Sequence, residues 1–240
     1  MKPLLLPAAQ LGFVILTVVY FTLLVKEFRN AIPLTSFDET KKKKLIWQII
    51  VGLTLWAVFV SAWSLSGMMG DFSKFPFNIA PVFLIPLITA LVITFSKTFT
   101  EIIRYIPIER FARLQSFRFF VEILLWFLFV AELIPDQMTF EGRNLDILAG
   151  ITGPVIAYFA SKGKISRTGL IVWNILCLCL LINIVVIAIL SMPVPFRVFH
   201  NEPGSAIVGL FPISWLPGFL VPLAYILHFL SLRKLLTSKS

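Results

Sequence analysis

The sequence predicts an all-helical integral membrane protein with seven transmembrane helices, and three observations lead to this fold class. First, 58% of the 240 residues are hydrophobic and only 14% are charged, with a mean hydropathy of +0.93, whereas a soluble domain carries about 25% charged residues. Second, the apolar residues form blocks close to the roughly 20 residues that a helix needs to cross a bilayer. Third, the basic residues are concentrated in alternate connections. A single polytopic membrane domain over residues 1–240 follows.

The seven predicted spans, numbered 1 to 7 in chain order, are residues 5–25, 45–66, 78–96, 117–134, 145–161, 168–192 and 212–232. The first block is too long for the apolar core of a signal peptide and no cleavage site follows it, so we expect a retained helix. Span 5 is the shortest. The connections leave no room for a separate soluble domain.

The distribution of charge predicts the orientation in the membrane. Positive residues mark the cytoplasmic side of short loops. Sixteen basic residues fall in one set of alternate connections and four (Lys2, Lys74, Arg143 and Arg197) in the other, with Arg118 in neither because it lies near the membrane. We therefore expect the N-terminus outside and the C-terminus inside. The formal net charge of +9 is explained by this bias, and no nucleic-acid partner is predicted.

An internal repeat predicts how the spans are arranged. Residues 75–87 (FPFNIAPVFLIPL) and 211–223 (FPISWLPGFLVPL) match at seven of thirteen positions, three of them prolines. A weaker echo relates IWQI (46–49) to VWNI (172–175). The pattern predicts a 3+1+3 plan with parallel half-repeats over about 1–98 and 145–234, joined by a connector helix at about 114–135. The alternative is convergence, because membrane helices draw on a small set of residues.

Four prolines in this repeat bear on the path of the helices. Proline removes a backbone donor and kinks a helix, and broken helices in corresponding halves of a transporter point to its binding site. We predict kinks at Pro81, Pro86, Pro217 and Pro222. The alternative is that proline is simply common in membrane helices. The 3+1+3 plan resembles the architecture of the SWEET sugar transporters, and seven spans in this orientation also occur in opsins; neither likeness extends to a motif.

The sequence argues against catalysis. It has no phosphate-binding loop, no GxSxG, no HExxH and no Cys/His metal spacing. Its two histidines, His200 and His228, are too few for the zinc sites of membrane hydrolases, and no lysine lies within span 7 for a retinal Schiff base. Cys177 and Cys179 point to different faces of span 6. We expect no enzymatic activity and no cofactor or metal.

Polar side chains at membrane depth are the candidates for ligand binding or a pathway, because an intramembrane ionisable group costs about 2.5–3.5 kcal/mol on insertion scales. Gln48 and Asn174, each following a tryptophan of the weaker echo, are predicted to contact a solute from the two halves. The full candidate set is Trp47, Gln48, Trp173, Asn174, Asn183, Glu122, Arg118 and His228. For most of these, packing, interface anchoring or a bond across helices is the competing interpretation.

Arg118 and Glu122 have two possible roles, because they stand one helical turn apart inside the apolar segment RFFVEILLWF (118–127). At i and i+4 they can form an ion pair, with Arg118 near enough to the cytoplasm to extend to it. One interpretation is an interfacial anchor for span 4. The other makes Glu122 a proton-coupling carboxylate that could exchange a proton with His228. Asn144 and Asp146 are interpreted as the N-cap and the first-turn acid of span 5.

Two connections also stand out. The stretch 206–211 within the long connection 193–211 is apolar enough to fold over the outer mouth as a lid, or the connection is an irregular cap stiffened by prolines. Residues 100–117 mix apolar and charged positions and resemble an interfacial helix interrupted by Pro107, which we expect to meet anionic lipid.

The predicted function is transport of a small solute or proton between two three-helix halves, along a path lined by spans 2, 3, 6 and 7. The alternative is a non-transporting seven-helix sensor or scaffold that binds a small ligand or a partner protein. The expected surroundings are the lipid bilayer of a cell membrane, with the bacterial inner membrane favoured. Self-association is left open.

Overall fold

The computed structural model describes residues 2–237, so Lys239, counted above with the basic connections, lies outside the described residues. Within this range the chain is helical and contains no β-strand. The nine α-helices, α1 to α9 in chain order, are Lys2–Ala31, Glu39–Leu65, Ala80–Phe95, Lys97–Arg104, Ile108–Leu114, Phe117–Val130, Ile147–Ser161, Arg167–Leu190 and Val221–Thr237. A π-helical turn, Leu216–Leu220, leads directly into α9.

A helix lies in each of the seven predicted ranges, but the helices differ in length. Four are long and apolar enough to cross a membrane: Pro3–Leu34, Glu39–Leu65, Arg167–Leu190 and Leu216–Thr237. A fifth is reached if α3 and α4, bent by 71° at Ser96, count as one broken span. Helix α6 has 14 residues and α7 has 15, about 21–23 Å at 1.5 Å per residue, against roughly 30 Å of hydrocarbon. The fold is that of a helical membrane protein, and the count of seven crossings stays a prediction.

Local sequence explains where α2 and α8 begin, which are the two longest α-helices after α1. The side chain of Asp38 accepts a hydrogen bond from the backbone N–H of Lys41, and Ser166 does the same for Gly169. Each side chain satisfies one of the donors that a helix N-terminus leaves unpaired. The long apolar runs that follow have no interior proline, so α2 and α8 continue for 27 and 24 residues.

Contacts between helices define two ends of the bundle. Glu27 near the end of α1 pairs with Arg110 of α5, and Lys234 near the end of α9 donates to the carbonyl of Ile103 in α4. We call this the basic end. The 3₁₀ turns Met68–Gly70 and Ala206–Gly209 contact each other, and they lie at what we call the opposite end. Which end faces the cytoplasm stays a prediction of the charge pattern.

Helices α5 and α6 form one nearly continuous helical segment. Backbone hydrogen bonds of the i to i+3 type, from Gln115 to Ala112 and from Arg118 to Gln115, carry the chain from one helix into the other. The helical segment that contains predicted span 4 therefore begins near Ile108 and not at Phe117, which places Arg118 in the middle of the segment.

Helix α7 packs tightly against this segment through two glycines. A Cβ atom on Gly150 would lie 2.1 Å from the backbone nitrogen of Phe119, and one on Gly153 would lie 2.7 Å from the carbonyl oxygen of Ala112. Small residues are what allow helices in membranes to approach so closely. The register of α7 is thereby set against α5 and α6.

The symmetry predicted between spans 3 and 7 requires the two helices to have similar positions and bends in the bundle. Helices α3 and α9 contact each other, but α9 is buried on much of its surface whereas α3 exposes residues such as Leu84, Ile88 and Val92. Pro81 lies in the first turn of α3 and Pro86 lies within the helix, and the sharp bend lies at Ser96. In span 7, Pro217 lies in the π-helical turn and Pro222 follows it in α9. Helix α7 is also half as long as α1, so the repeat stays a prediction.

Candidate functional site: a buried polar cluster

The center of the polar cluster is an ion pair between Arg118 of α6 and Asp146, the residue that precedes α7. Arg118 Nε donates to Asp146 Oδ2 at 2.7 Å, and Arg118 Nη2 donates to Asp146 Oδ1. The two residues are only 1% and 4% exposed. A two-pronged contact of this kind is the strongest arrangement available to arginine and a carboxylate. It compensates part of the cost of removing both charges from water.

The remaining donors of Arg118 are directed at α8 and α9. Nη2 donates to the carbonyl oxygen of Cys177 at 3.0 Å, and Nη1 lies 3.0 Å from Nε2 of His228. Because arginine has no acceptor, Nε2 must accept this bond. His228 is therefore neutral with its proton on Nδ1, which donates to Asn174 Oδ1 at 2.9 Å. The Asn174 amide in turn donates to the carbonyl of Leu170.

Glu122 lies one turn further along α6 and is 1% exposed. Both of its oxygens accept hydrogen bonds from the amide nitrogen of Asn144, at 2.8 and 2.6 Å. The same amide donates to the carbonyl of Met138, and Asn144 Oδ1 accepts from the backbone N–H of Asp146. The carboxyl group of Glu122 thus faces a neutral amide while the nearest guanidinium is held by Asp146.

This geometry corrects three expectations. Arg118 pairs with Asp146 and not with Glu122, because the chain between α6 and α7 returns into the bundle and brings Asp146 to the guanidinium. Arg118 does not lie near an end of the bundle either: it contacts Cys177, ten residues from the start of α8, or about 15 Å along the helix. Asn144 does not cap α7, whose N-cap residue is Asp146 without a side-chain cap bond.

Asn144 and Asp146 are the site residues that sequence reasoning missed, since both had been interpreted as local features of a helix start. The signal that could have identified them is the length of span 5. A predicted span of 17 residues is short for a crossing, and a short helix that begins at depth carries the polar residues of its N-terminus into the bundle. The side chains of Asn144 and Asp146 are therefore removed from water and must form their hydrogen bonds and ion pairs inside the protein.

A narrow cavity of about 60 Å³ ends at this cluster. Arg118, Glu122 and Asp146 line one part of it, and apolar side chains of α6, α8 and the π-helical turn line the rest. Met192 and Val208, from the connection between α8 and α9, line it toward the opposite end. The volume accommodates a few water molecules and no larger solute. Val208 belongs to the apolar stretch 206–211, and the closing of that stretch as a lid stays a prediction.

The other candidate residues are distributed over the molecule. Trp173 donates to Thr152 Oγ1 at 3.0 Å, and its ring lies 5.7 Å from that of His228, so it borders the cluster. Asn183 donates to the carbonyl of Arg143. Trp47 is 64% exposed, and Gln48 lines a second, larger cavity among α1, α2, α3 and α9. The cluster therefore combines Arg118, Glu122, Asn174 and His228, and it does not bring Gln48 to Asn174.

Neither of these two cavities is lined by spans 2, 3, 6 and 7 together, and the predicted path stays a prediction. The narrow one is lined chiefly by α6, α8 and the π-helical turn with α9, together with Phe83 of α3. The larger one has α2 and α3 on one side and α1 and α9 on the other. Trp47 and Trp173 line neither of them, and Trp47 is 64% exposed.

The apolar helices and the buried ionic cluster define an α-helical membrane protein. Residues 74–236 match a family described as a domain of unknown function, DUF8737. The match covers about two thirds of the chain, and the protein belongs to this family. The matched range includes every residue of the polar cluster and excludes α1 and α2. No curated protein and no solved structure matches the chain.

Proposed function

We propose that the protein crosses the membrane seven times and moves protons, alone or coupled to a small solute, with Glu122 as the proton-binding group. The orientation would place the basic end in the cytoplasm and the narrow cavity toward the outside. In this scheme α5 and α6 together supply the fourth crossing, and α7 with the connection that descends to it supplies the fifth.

The observation that supports this function is the balance of charge in the cluster. Arg118 carries the only positive charge, His228 is neutral, and Asp146 already neutralises the guanidinium. A second ionised carboxylate would leave the buried cluster with an uncompensated negative charge, which is costly in a medium of low dielectric constant. Glu122 can lose that charge by taking up a proton, and it is in contact with a cavity of a size to hold water.

Two routes for proton transfer lie on either side of Glu122. From Glu122, the cavity extends toward the opposite end between α6 and α8. Toward the basic end, a chain of hydrogen bonds runs from Arg118 through His228 to Asn174 and the carbonyl of Leu170. For a proton to pass in this direction, the bond between Arg118 and His228 must open so that Nε2 takes up the proton that Glu122 releases. Nδ1 must then give up its own proton to a water molecule, because the amide of Asn174 and the carbonyl of Leu170 do not titrate.

Reconstitution into liposomes tests the proposal. With a pH gradient and a trapped pH-sensitive dye, the wild-type protein should increase proton flux above that of protein-free liposomes, and Glu122→Gln should remove the increase. Glu39→Gln is the matched control, because Glu39 is an exposed carboxylate paired with Lys42 at the start of α2. Wild-type flux in a folded Glu122→Gln protein, as judged by circular dichroism and gel filtration, contradicts the proposal.

The second candidate function is a non-transporting sensor or scaffold, and the size of the narrow cavity favours it. A volume of about 60 Å³ provides no passage for a solute without a change of conformation. A wild-type protein that conducts no more protons than empty liposomes supports this alternative.

A further inference from the structure

The larger cavity has no role in the proposed proton path. Its volume is about 390 Å³, which falls within the range of about 300–1,000 Å³ typical of small-molecule sites. It is lined on one side by α2, from Leu45 to Trp56. These residues span eleven steps, or about 16 Å along a helix, so the cavity is elongated in the direction of the helices.

The walls of this cavity are almost entirely apolar, with side chains such as Phe28, Ile93, Phe99, Phe219 and Ile226. The helix that forms its outer wall, α2, is poorly covered by the rest of the protein: only 6% of its apolar window is buried. The cavity is open to its surroundings between α2 and α3, because the lining residues Gln48, Gly52, Ile85 and Thr89 are exposed. A protein embedded in a bilayer meets acyl chains at such a position.

Two polar groups in the cavity have no partner among the described residues. The hydroxyl group of Tyr225 is buried without a hydrogen bond. A buried polar group without a partner costs about 1–3 kcal/mol unless a bound molecule forms a hydrogen bond with it. Gln48 is exposed and forms no hydrogen bond within the described chain. By contrast, the other two polar side chains of the cavity are satisfied, since Trp56 donates to Gly218 and Thr89 to Ile85. An occupant that is mostly apolar and carries hydrogen-bonding groups fits this lining.

The charge at one end of the cavity indicates which occupant. Lys44, Gln48 and Gly52 follow one another at intervals of four residues, so they share a face of α2. Gln48 and Gly52 line the cavity, and Lys44 lies one turn further toward the basic end. Lys43 and Lys44 are both exposed and form no ion pair with the described residues. A basic pocket between helices at the cytoplasmic side is suited to an anionic lipid headgroup.

We propose that this cavity is a binding site for an anionic phospholipid. One acyl chain lies along α2 between Leu45 and Trp56, its ester group accepts from Tyr225 or Gln48, and its headgroup meets Lys44. The site is independent of the Glu122 cluster, and a failure of either proposal leaves the other intact.

Gly52 provides the variant that tests the site. A Cβ atom at Gly52 meets nothing within 4 Å, so a large side chain there enters the cavity without displacing backbone. Gly52→Phe should weaken the binding of phosphatidylglycerol about tenfold or more, which corresponds to about 1.4 kcal/mol. The matched control is Val58→Phe, which adds an aromatic ring to the same helix at a position that is 59% exposed and should bind as the wild type does.

The measurement is native mass spectrometry of the purified full-length protein in an uncharged detergent, titrated with dioleoyl phosphatidylglycerol or dioleoyl phosphatidylcholine. The wild type should retain phosphatidylglycerol preferentially, and Lys44→Gln should reduce that preference while leaving the retention of phosphatidylcholine unchanged. Melting curves without added lipid establish that the variants are folded. Equal retention of the two lipids by the wild type, or undiminished binding by a folded Gly52→Phe protein, overturns the proposal.

Discussion

The guanidinium of Arg118 and the carboxylate of Asp146 form a two-pronged ion pair across 28 positions of the chain, and both side chains are almost completely buried. This pair connects α6 to the start of α7 inside the bundle, beside the narrow cavity. Removing one partner of a buried pair leaves an uncompensated charge, which typically costs about 3–5 kcal/mol. Replacing both partners with apolar residues avoids that cost.

A double-mutant cycle on this pair should therefore be strongly non-additive. We expect Arg118→Met and Asp146→Leu each to lower the free energy of unfolding by about 3–5 kcal/mol, and the double variant to recover much of the loss. Unfolding in mixed micelles, followed by tryptophan fluorescence, provides the measurement. Additive losses would show that the two residues act separately.

Gly150 should be intolerant of any side chain. A Cβ atom at this position meets the backbone of Phe119 at 2.1 Å, and backbone cannot move aside as a flexible side chain can. We expect Gly150→Ala to destabilise the protein by about 1–3 kcal/mol through overpacking, despite the better helix propensity of alanine.

The control for Gly150 is Gly52→Ala, which places the same methyl group in open space within α2. Gly52→Ala should be neutral or slightly stabilising, measured by the same thermal unfolding in detergent. Similar melting temperatures for the two variants would contradict the close contact between α6 and α7.

His228 should be replaceable by a residue that keeps an acceptor. The His228→Leu variant leaves Arg118 Nη1 without an acceptor and Asn174 Oδ1 without a donor, and the expected loss is about 1–3 kcal/mol for each unsatisfied buried group. His228→Gln retains one carbonyl oxygen and one amide group, so it should be clearly more stable than His228→Leu. The melting temperatures of the two variants provide the comparison. Equal stability of the two variants argues against a neutral His228 ring that accepts a hydrogen bond from Arg118.

Arg197 should control the order of the connection between α8 and α9. Its guanidinium donates to the carbonyls of Phe199 and Asn201 and to the carboxylate of Glu202. Removing it in Arg197→Ala removes three bonds at once, and hydrogen exchange of residues 197–205 should become faster while exchange within α8 is unchanged.

The pH dependence of this connection follows from Glu202. The hydrogen bond from Arg197 holds the pKa of Glu202 below its usual range. A lowered pKa in the folded protein means that the interaction stabilises the connection above the ordinary pKa of glutamate, about 4.3, and is lost as the pH falls through the lowered value. Protection factors of residues 197–205 should decrease over that acidic interval in the wild type and stay flat in Glu202→Gln.

The orientation in the membrane is open to direct labelling. In a variant with Cys177 and Cys179 replaced by alanine, a cysteine at position 74 should react with an impermeant maleimide from outside the cell. A cysteine at position 162 should react only after permeabilisation, because it lies at the basic end. The reverse pattern would invert the proposed direction of the narrow cavity.

The sequence alone determined the class of the protein and the places of its helices. Long apolar blocks have few alternatives to a helix in a membrane, because every backbone polar group must be satisfied within the segment, and a helix occurs in each predicted range. Both properties depend on composition along the chain and on no contact between distant residues.

Only the tertiary structure decided what Arg118 and Glu122 contact. Spacing of i and i+4 makes a pair between them possible, but a buried arginine takes the acceptors that the surrounding helices offer, and Asp146 and His228 come from 28 and 110 positions away. The short helix α7 places Asp146 at depth because two glycines let it pack against α5 and α6. In the same way, Gln48 and Asn174 have equivalent places in the sequence but lie in different surroundings, since burial is set by which helices are neighbours.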